Sequence, residues 1–190
     1  MKDNLITAGV DEVGRGCLAG PVVSAAVILN ENIDLRLIKD SKKINFQNRF
    51  KVAEFIKQNS CHAIGVASVE EIFNINILQA ALLSMKRAID KLEKKPNQIL
   101  IDGPFAPGGL KNYKTIIKGD EKIKCIGAAS IVAKTYRDLL MIKLSEKFTH
   151  YAWERNFGYG TKAHMEGLKK FGITSHHRKG FKPIHNMLLR

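Results

Sequence analysis

The chain is poor in the features that would staple it or anchor it in a bilayer. Only three of its 190 residues are cysteines, Cys17, Cys61 and Cys125, widely spaced and without a CxxC pair. That pattern argues against a disulfide framework or a zinc site and suits a reducing cytoplasm. Long apolar runs are missing as well. The longest, Leu18 to Leu29, is interrupted by Gly20 and Pro21 and falls well short of the roughly 20 residues that span a bilayer. The opening MKDNLITAGVDEVG has no apolar signal-peptide core. Acids are scarce, 18 against 31 Lys and Arg, for a formal net charge of +13. Such an excess favours a polyanionic partner, because each neutralised phosphate releases condensed counterions. On charge alone, a basic soluble protein with no such partner remains the alternative.

What is present describes one compact domain. A hydrophobic content of 45% is ordinary for a globular protein and permits a sizeable core at this length. Leu5 to Val13 reads as a strand, followed by a glycine-rich turn from Gly14 to Gly20. Pro21 to Leu29, rich in Val and Ile, reads as a second buried strand, so the pair suggests a hairpin. Phe50, Ala53 and Ile56 are spaced as on a helix over 46–58, and Ala63 to Val69 reads as a strand. Leu78, Leu82, Met85, Ile89 and Leu92 mark an amphipathic helix broken before Pro96. Gln98 to Asp102 and Tyr113 to Ile117 read as short strands. The stripe Ala128, Ile131, Val132, Thr135, Leu139 and Ile142 marks a long helix over 124–148. From Thr161 to Arg190 the only acid is Glu166. This order predicts an α/β fold with a mixed sheet and a short helical tail.

In so basic a chain, acids inside or at the ends of apolar strands call for a reason. Asp11 and Glu12 interrupt the first strand, Asp102 closes Ile99-Leu100-Ile101, and Asp120 follows Tyr113 to Ile117 after Lys118-Gly119. Asp-Gly is also a common turn starter, and Asp120 equally suits a helix cap. If the strand ends converge, the carboxylates share a small volume and cannot all stay ionised unaided. A hard divalent cation resolves that conflict, and Mg²⁺ is usually held by one or two carboxylates plus substrate phosphate. Adjacent strand residues point to opposite faces, so Asp11 and Glu12 share one site only if the strand bends or cations approach from both sides.

The run Gly9-Val10-Asp11-Glu12-Val13-Gly14-Arg15-Gly16, with Leu18-Ala19-Gly20-Pro21-Val22-Val23, closely resembles the opening of the ribonuclease HII family. The likeness continues through Asp40-Ser41-Lys42-Lys43, Ile101-Asp102-Gly103 and Lys118-Gly119-Asp120. It extends over Ala128 to Lys134 with Arg137-Asp138, Gly158-Tyr159-Gly160-Thr161 and His176-His177-Arg178. The resemblance implies a ribonuclease H-like mixed central sheet flanked by helices, with a catalytic domain over 1–148 and a basic helical C-terminal extension over 149–190. It implies that Asp11, Glu12, Asp102 and Asp120 are catalytic and bind Mg²⁺ or Mn²⁺, two ions during catalysis. The implied substrates are RNA–DNA hybrids and single ribonucleotides embedded in duplex DNA, cut on the 5′ side of the ribonucleotide to leave 3′-hydroxyl and 5′-phosphate ends. Gly14, Arg15 and Gly16 are then expected to read the ribose, since glycines admit close backbone approach and the 2′-hydroxyl distinguishes RNA from DNA. Tyr159 is expected to pack on the sugar, and Lys42 and Lys43 to lie near phosphates.

Three positions depart from the family pattern. Cys17 stands where proline is usual, Pro104 where a polar residue commonly follows Asp-Gly, and Phe157 where a basic residue commonly precedes Gly158. His176 and His177 are expected to serve structure or phosphate contacts, and Asp138 an ion pair or an orienting role. A monomer in the cytoplasm, with no membrane association, completes the expectation. The rivals are a ribonuclease HIII-like hybrid nuclease and a non-catalytic basic nucleic-acid-binding module. Arg15 between its glycines favours HII over HIII.

Overall fold

The computed structural model describes residues 5–30 and 46–189. Lys42 and Lys43 lie outside the described residues. The chain begins with β1 (Thr7–Val13) and β2 (Val22–Leu29), then α1 (Phe46–Gln58) and β3 (Ser60–Ala67). It continues through α2 (Val69–Asp90), β4 (Gln98–Asp102), β5 (Tyr113–Ile116), α3 (Gly119–Lys122) and α4 (Lys124–Ser145). A 3₁₀ turn (Thr149–Tyr151), α5 (Trp153–Asn156), α6 (Lys162–Phe171) and α7 (Lys182–Leu188) follow.

The sheet order is β3-β2-β1-β4-β5. β1 pairs antiparallel with β2, and β2 with β3, whereas β1–β4 and β4–β5 are parallel. The mixed sheet and the β1–β2 hairpin agree with the sequence reading. Strand alternation builds two cores. Ala8, Val10, Ala26, Ile28, Ile99 and Ile101 pack with Met85, Ala88 and Ile89 of α2 on one face. Ala25 and Val27 pack with α1 and with Ala128, Ala129 and Val132 of α4 on the other. A Cβ at Gly9 would sit 2.1 Å from the Cys125 backbone carbon, so the glycine is what lets α4 lie close against β1. Among the described residues, no helix is long and apolar enough to cross a membrane.

Some boundaries move. The strand expected over 63–69 runs from Ser60 to Ala67, because Ser68 caps α2: its side chain accepts from Glu71 N–H while Glu71 accepts from Ser68 N–H. α2 therefore starts nine residues before Leu78, kinked at Asn76 (φ 64°), whose Oδ1 accepts from Leu78 and Gln79 N–H and caps the second half. On α4 the expected stripe member Leu139 is exposed, and the buried line runs instead through Arg137, Asp138 and Met141. Charged residues occupy the inward face there because each finds partners inside. The C-terminal elements form a third core, in which Trp153, Leu168 and Ile184 pack with Leu18, Ala19 and Met141.

Candidate active site

β1 and β4 run parallel and in register up to Val10↔Ile101, so Asp11 and Asp102 stand next along neighbouring strands at their C-terminal ends. Ligand sites of open α/β sheets gather at such ends. β1 stays regular through the next pairs, Asp11↔Ala25, Glu12↔Ser24 and Val13↔Val23. The strand does not bend between its two acids, and they take opposite faces. Asp11 faces α4, where the Ser130 side chain bonds it, and its Oδ1 accepts from Glu12 N–H at 2.7 Å. Glu12 lies on the α2 side, in a cleft shared with Asp102, Leu82 and Phe105, and pairs with Arg15 at 3.4 Å.

Asp102 joins the two. Its carboxylate acts electrostatically on both Asp11 and Glu12. Its Oδ1 also accepts from Gly119 N–H (2.7 Å) and Asp120 N–H (3.2 Å) at the start of α3, which brings Asp120 alongside. Asp11 is 5% exposed. Burial, then the negative charges of Glu12 and Asp102, push its carboxyl up to about 8 against the hydrogen bonds from Ser130 and Glu12 N–H. Burial also pushes Glu12 up, opposed by Arg15. Among the described residues, no three Asp, Glu, His or Cys side chains form a ready-made metal cage. The all-oxygen donor set suits a hard cation that keeps several waters and needs only one or two carboxylates at a time. Asp11 fits that need, since its own hydrogen bonds come from neutral groups.

The turn from Gly14 to Pro21 borders these acids. Gly14 has φ +94°, and a Cβ there would meet Arg137 Nε at 2.2 Å. Arg137, fully buried, donates to the carbonyls of Pro21 (2.9 Å), Phe157 (2.8 Å) and Ala19 (2.9 Å). Leu18 N–H donates to the Gly158 carbonyl, and Arg178 N–H to that of Leu18. These bonds bring Tyr159 over the turn, its ring carbon 3.8 Å from where a Gly16 Cβ would stand. Cys17 is buried and its thiol bonds the Tyr159 side chain; burial first, then Cys17, raises the phenol. Phe157 takes φ 50° and stacks on Phe46. Pro104 lies on the rim of the Glu12–Asp102 cleft.

Asp138 is fully buried between Arg49 (2.6 Å) and Lys134 (2.8 Å), an ion pair as expected of it. Lys134 Nζ also lies 5.8 Å from the Tyr159 ring centre. His177 is buried against His164, a structural place, and His176 packs edge-on against Phe148. The structural importance of Arg137, Lys134 and His164 was not read from the sequence. The one available signal was a cluster of basic residues on or beside apolar helical faces with too few acids to pair them. A larger groove of about 370 Å³ beside Ile75, Leu83 and Pro107 has Lys86 as its one charged liner and offers no chemistry.

The ribonuclease HII family model matches residues 8–184. The chain belongs to the ribonuclease HII family. It is 57% identical to ribonuclease HII of Pelagibacter ubique over 96% of this chain and 99% of that one. It is 46% identical to ribonuclease HII of Neisseria meningitidis serogroup B, over 97% and 96%. Ribonuclease H2 from Pyrococcus horikoshii has a similar fold, with a TM-score of 0.79 at 24% identity, covering 95% of this chain and 96% of that one. The ribonuclease HIII structure crystallised with Mn²⁺ superposes with a TM-score of 0.73 at 20% identity, covering 97% and 70%. As a ribonuclease HII-family protein the chain is a ribonuclease H that acts on RNA–DNA hybrids, and its family is metal-dependent.

Proposed function

We propose that Asp11, Glu12, Asp102 and Asp120 are the catalytic, metal-binding carboxylates of this nuclease, with Mg²⁺ or Mn²⁺ as the cation and two ions engaged during catalysis. The reading rests on one observation: Asp11 and Asp102 each follow the last paired residues, Val10 and Ile101, of adjacent parallel strands, and Asp102 is bonded to the backbone that carries Asp120. Bound there, such cations supply an activated water and stabilisation of the leaving oxygen. The protein's part is to orient and exclude. Asp102 is pinned by two N–H groups, Glu12 is steered by Arg15, and Asp11 sits dry beside Ser130. The structure crystallised with Mn²⁺ supports a cation in this class of fold.

Substrate selection lies in the turn. Gly14, Arg15 and Gly16 with Tyr159 read a ribose, so the substrates include single ribonucleotides in duplex DNA as well as long hybrids, cut on the 5′ side to leave 3′-hydroxyl and 5′-phosphate ends. Lys42 and Lys43, with the exposed basic residues of an extension over 149–190, hold phosphates. The protein works as a cytoplasmic monomer. One solved relative, ribonuclease HII of Archaeoglobus fulgidus, is in complex with PCNA (29% identity, TM-score 0.75).

The test is incubation of the protein with labelled all-DNA, hybrid and one-ribonucleotide duplexes, with and without magnesium. Magnesium-dependent nicking 5′ of the lone ribonucleotide is expected. Cutting of long hybrids only would move the chain towards the HIII activity. Metal-independent, salt-sensitive binding without product would leave a binding module.

A further inference from the structure

Beneath the β1–β2 turn lies a second buried cation, Arg178, 1% exposed. Its Nε donates to the Gly20 carbonyl (2.9 Å), Nη1 to that of Arg15 (3.0 Å) and Nη2 to that of Pro21 (3.2 Å). Like Arg137, it spends its planar fork on backbone carbonyls; among the described residues neither arginine pairs with a carboxylate. Charge-assisted bonds to a buried guanidinium are strong and directional, and a lysine cannot serve three carbonyls in one plane.

The bond to Arg15 has a stereochemical result. No described peptide bond is cis, and in a trans peptide the C=O and N–H point in opposite directions. Gripping the Arg15 carbonyl from the buried side therefore turns the Gly16 N–H outward, where Arg15 and Gly16 are exposed. Gly16 itself meets no structural demand. Its φ lies outside the left-handed region, and an added Cβ would make only ordinary contact, 3.8 Å from Tyr159. The missing side chain keeps open a strip between an aimed amide and an aromatic ring.

We infer that Arg178 is the positioning residue of this turn: by holding the Arg15 carbonyl it aims the Gly16 amide at the ribose 2′-hydroxyl beside Tyr159. A hydroxyl accepts from an N–H, and a deoxyribose offers nothing there. The inference rests on the sugar-reading role proposed for Gly14 to Gly16.

The experiment compares binding of a one-ribonucleotide duplex and an all-DNA duplex of the same sequence. It uses fluorescence anisotropy in magnesium, with Asp102→Asn in every protein so that neither duplex is cut. The parent should prefer the ribonucleotide. Adding Arg178→Gln should shrink that preference by about fivefold, the scale of one hydrogen bond, with all-DNA affinity unchanged. Arg178→Lys keeps the buried charge without the fork and should show the same loss; it decides the matter if the Gln variant does not fold. An unchanged preference, or an equal loss on both duplexes, overturns the positioning role. A parent with no preference overturns the sugar-reading role itself, and this inference with it.

Discussion

His177 Nε2 meets His164 Nε2 at 3.0 Å in a buried contact that has only one consistent proton arrangement. Thr174 N–H donates to His177 Nδ1 (2.9 Å), so His177 carries its proton on Nε2 and donates it to His164. His164 accepts there from Trp153 Nε1–H as well (3.1 Å) and donates from Nδ1 to the Tyr159 carbonyl (2.9 Å). Both rings are neutral. A further proton on either would set donor against donor.

Acid should therefore weaken this histidine pair before it protonates most carboxylates. Burial, then the neighbouring His164, pushes His177 down to about 4, and burial lowers His164 as well. The unfolded chain takes up a proton near its ordinary value of about 6.5 that the folded chain refuses, so stability present above that pH is lost as pH falls from about 6.5 towards 4. Asp11, raised in the fold, acts with the opposite sign over the same range, so the loss of roughly 2–3 kcal/mol should appear as the difference between the parent and His177→Gln. A parent melting temperature that falls relative to that of His177→Gln between pH 6.5 and 4.5 would assign the effect, and parallel curves would refute it.

Removing charge from the acid cluster should stabilise the metal-free protein while ending catalysis. Asp11 is raised in the fold, so the stability this group contributes, fully present below about 4, is lost as pH rises from there through about 8. Asp11→Asn is expected to raise the melting temperature in EDTA above pH 7. It should also abolish cleavage and leave duplex binding largely intact. Asp102→Asn should likewise abolish cleavage. Near parental cleavage of a one-ribonucleotide duplex by either variant would end the assignment.

Magnesium or manganese should raise the parent's melting temperature, since a ligand that binds only the folded state stabilises it by mass action. The shift should be lost in Asp11→Asn and survive in His177→Gln. Differential scanning fluorimetry with and without EDTA measures both.

The two glycines flanking Arg15 should separate cleanly. Gly14→Ala forces a methyl onto Arg137 at φ +94° and should cost several kcal/mol, on the scale of overpacking plus backbone strain. Gly16→Ala should fold with an unchanged melting temperature and, in the uncut Asp102→Asn background, lose most of its binding preference for a one-ribonucleotide duplex over all-DNA. An unchanged preference, or an equal weakening on both duplexes, would remove Gly16 from sugar selection.

Much of this was readable before the fold was known, because apolar alternation and Asp-Gly, Gly-rich and Pro signals act locally. The β1–β2 pair, β4 closing at Asp102, and α4 from Lys124 follow from such patterns. The start of α2 did not, since its first turn, Val69-Glu70-Glu71, carries no apolar stripe and depends on the Ser68–Glu71 cap. Nor did the inward face of α4, where Arg137 and Asp138 look solvated until their distant partners are known. The acids were named from the sequence, but their arrangement was not. Asp11 and Glu12 stay on opposite faces of an unbent strand, and Asp102 is what links them.

The arginine that closes the N-terminal turn sits 163 positions after the carbonyl it holds. A ribosome delivers Arg15 early and Arg178 late, whereas strands and helices in between can already collapse. The sheet and its acids can thus assemble while the turn still lacks its clasp. On the role proposed for that turn, competence to inspect a sugar waits until the segment carrying Arg178 has been made.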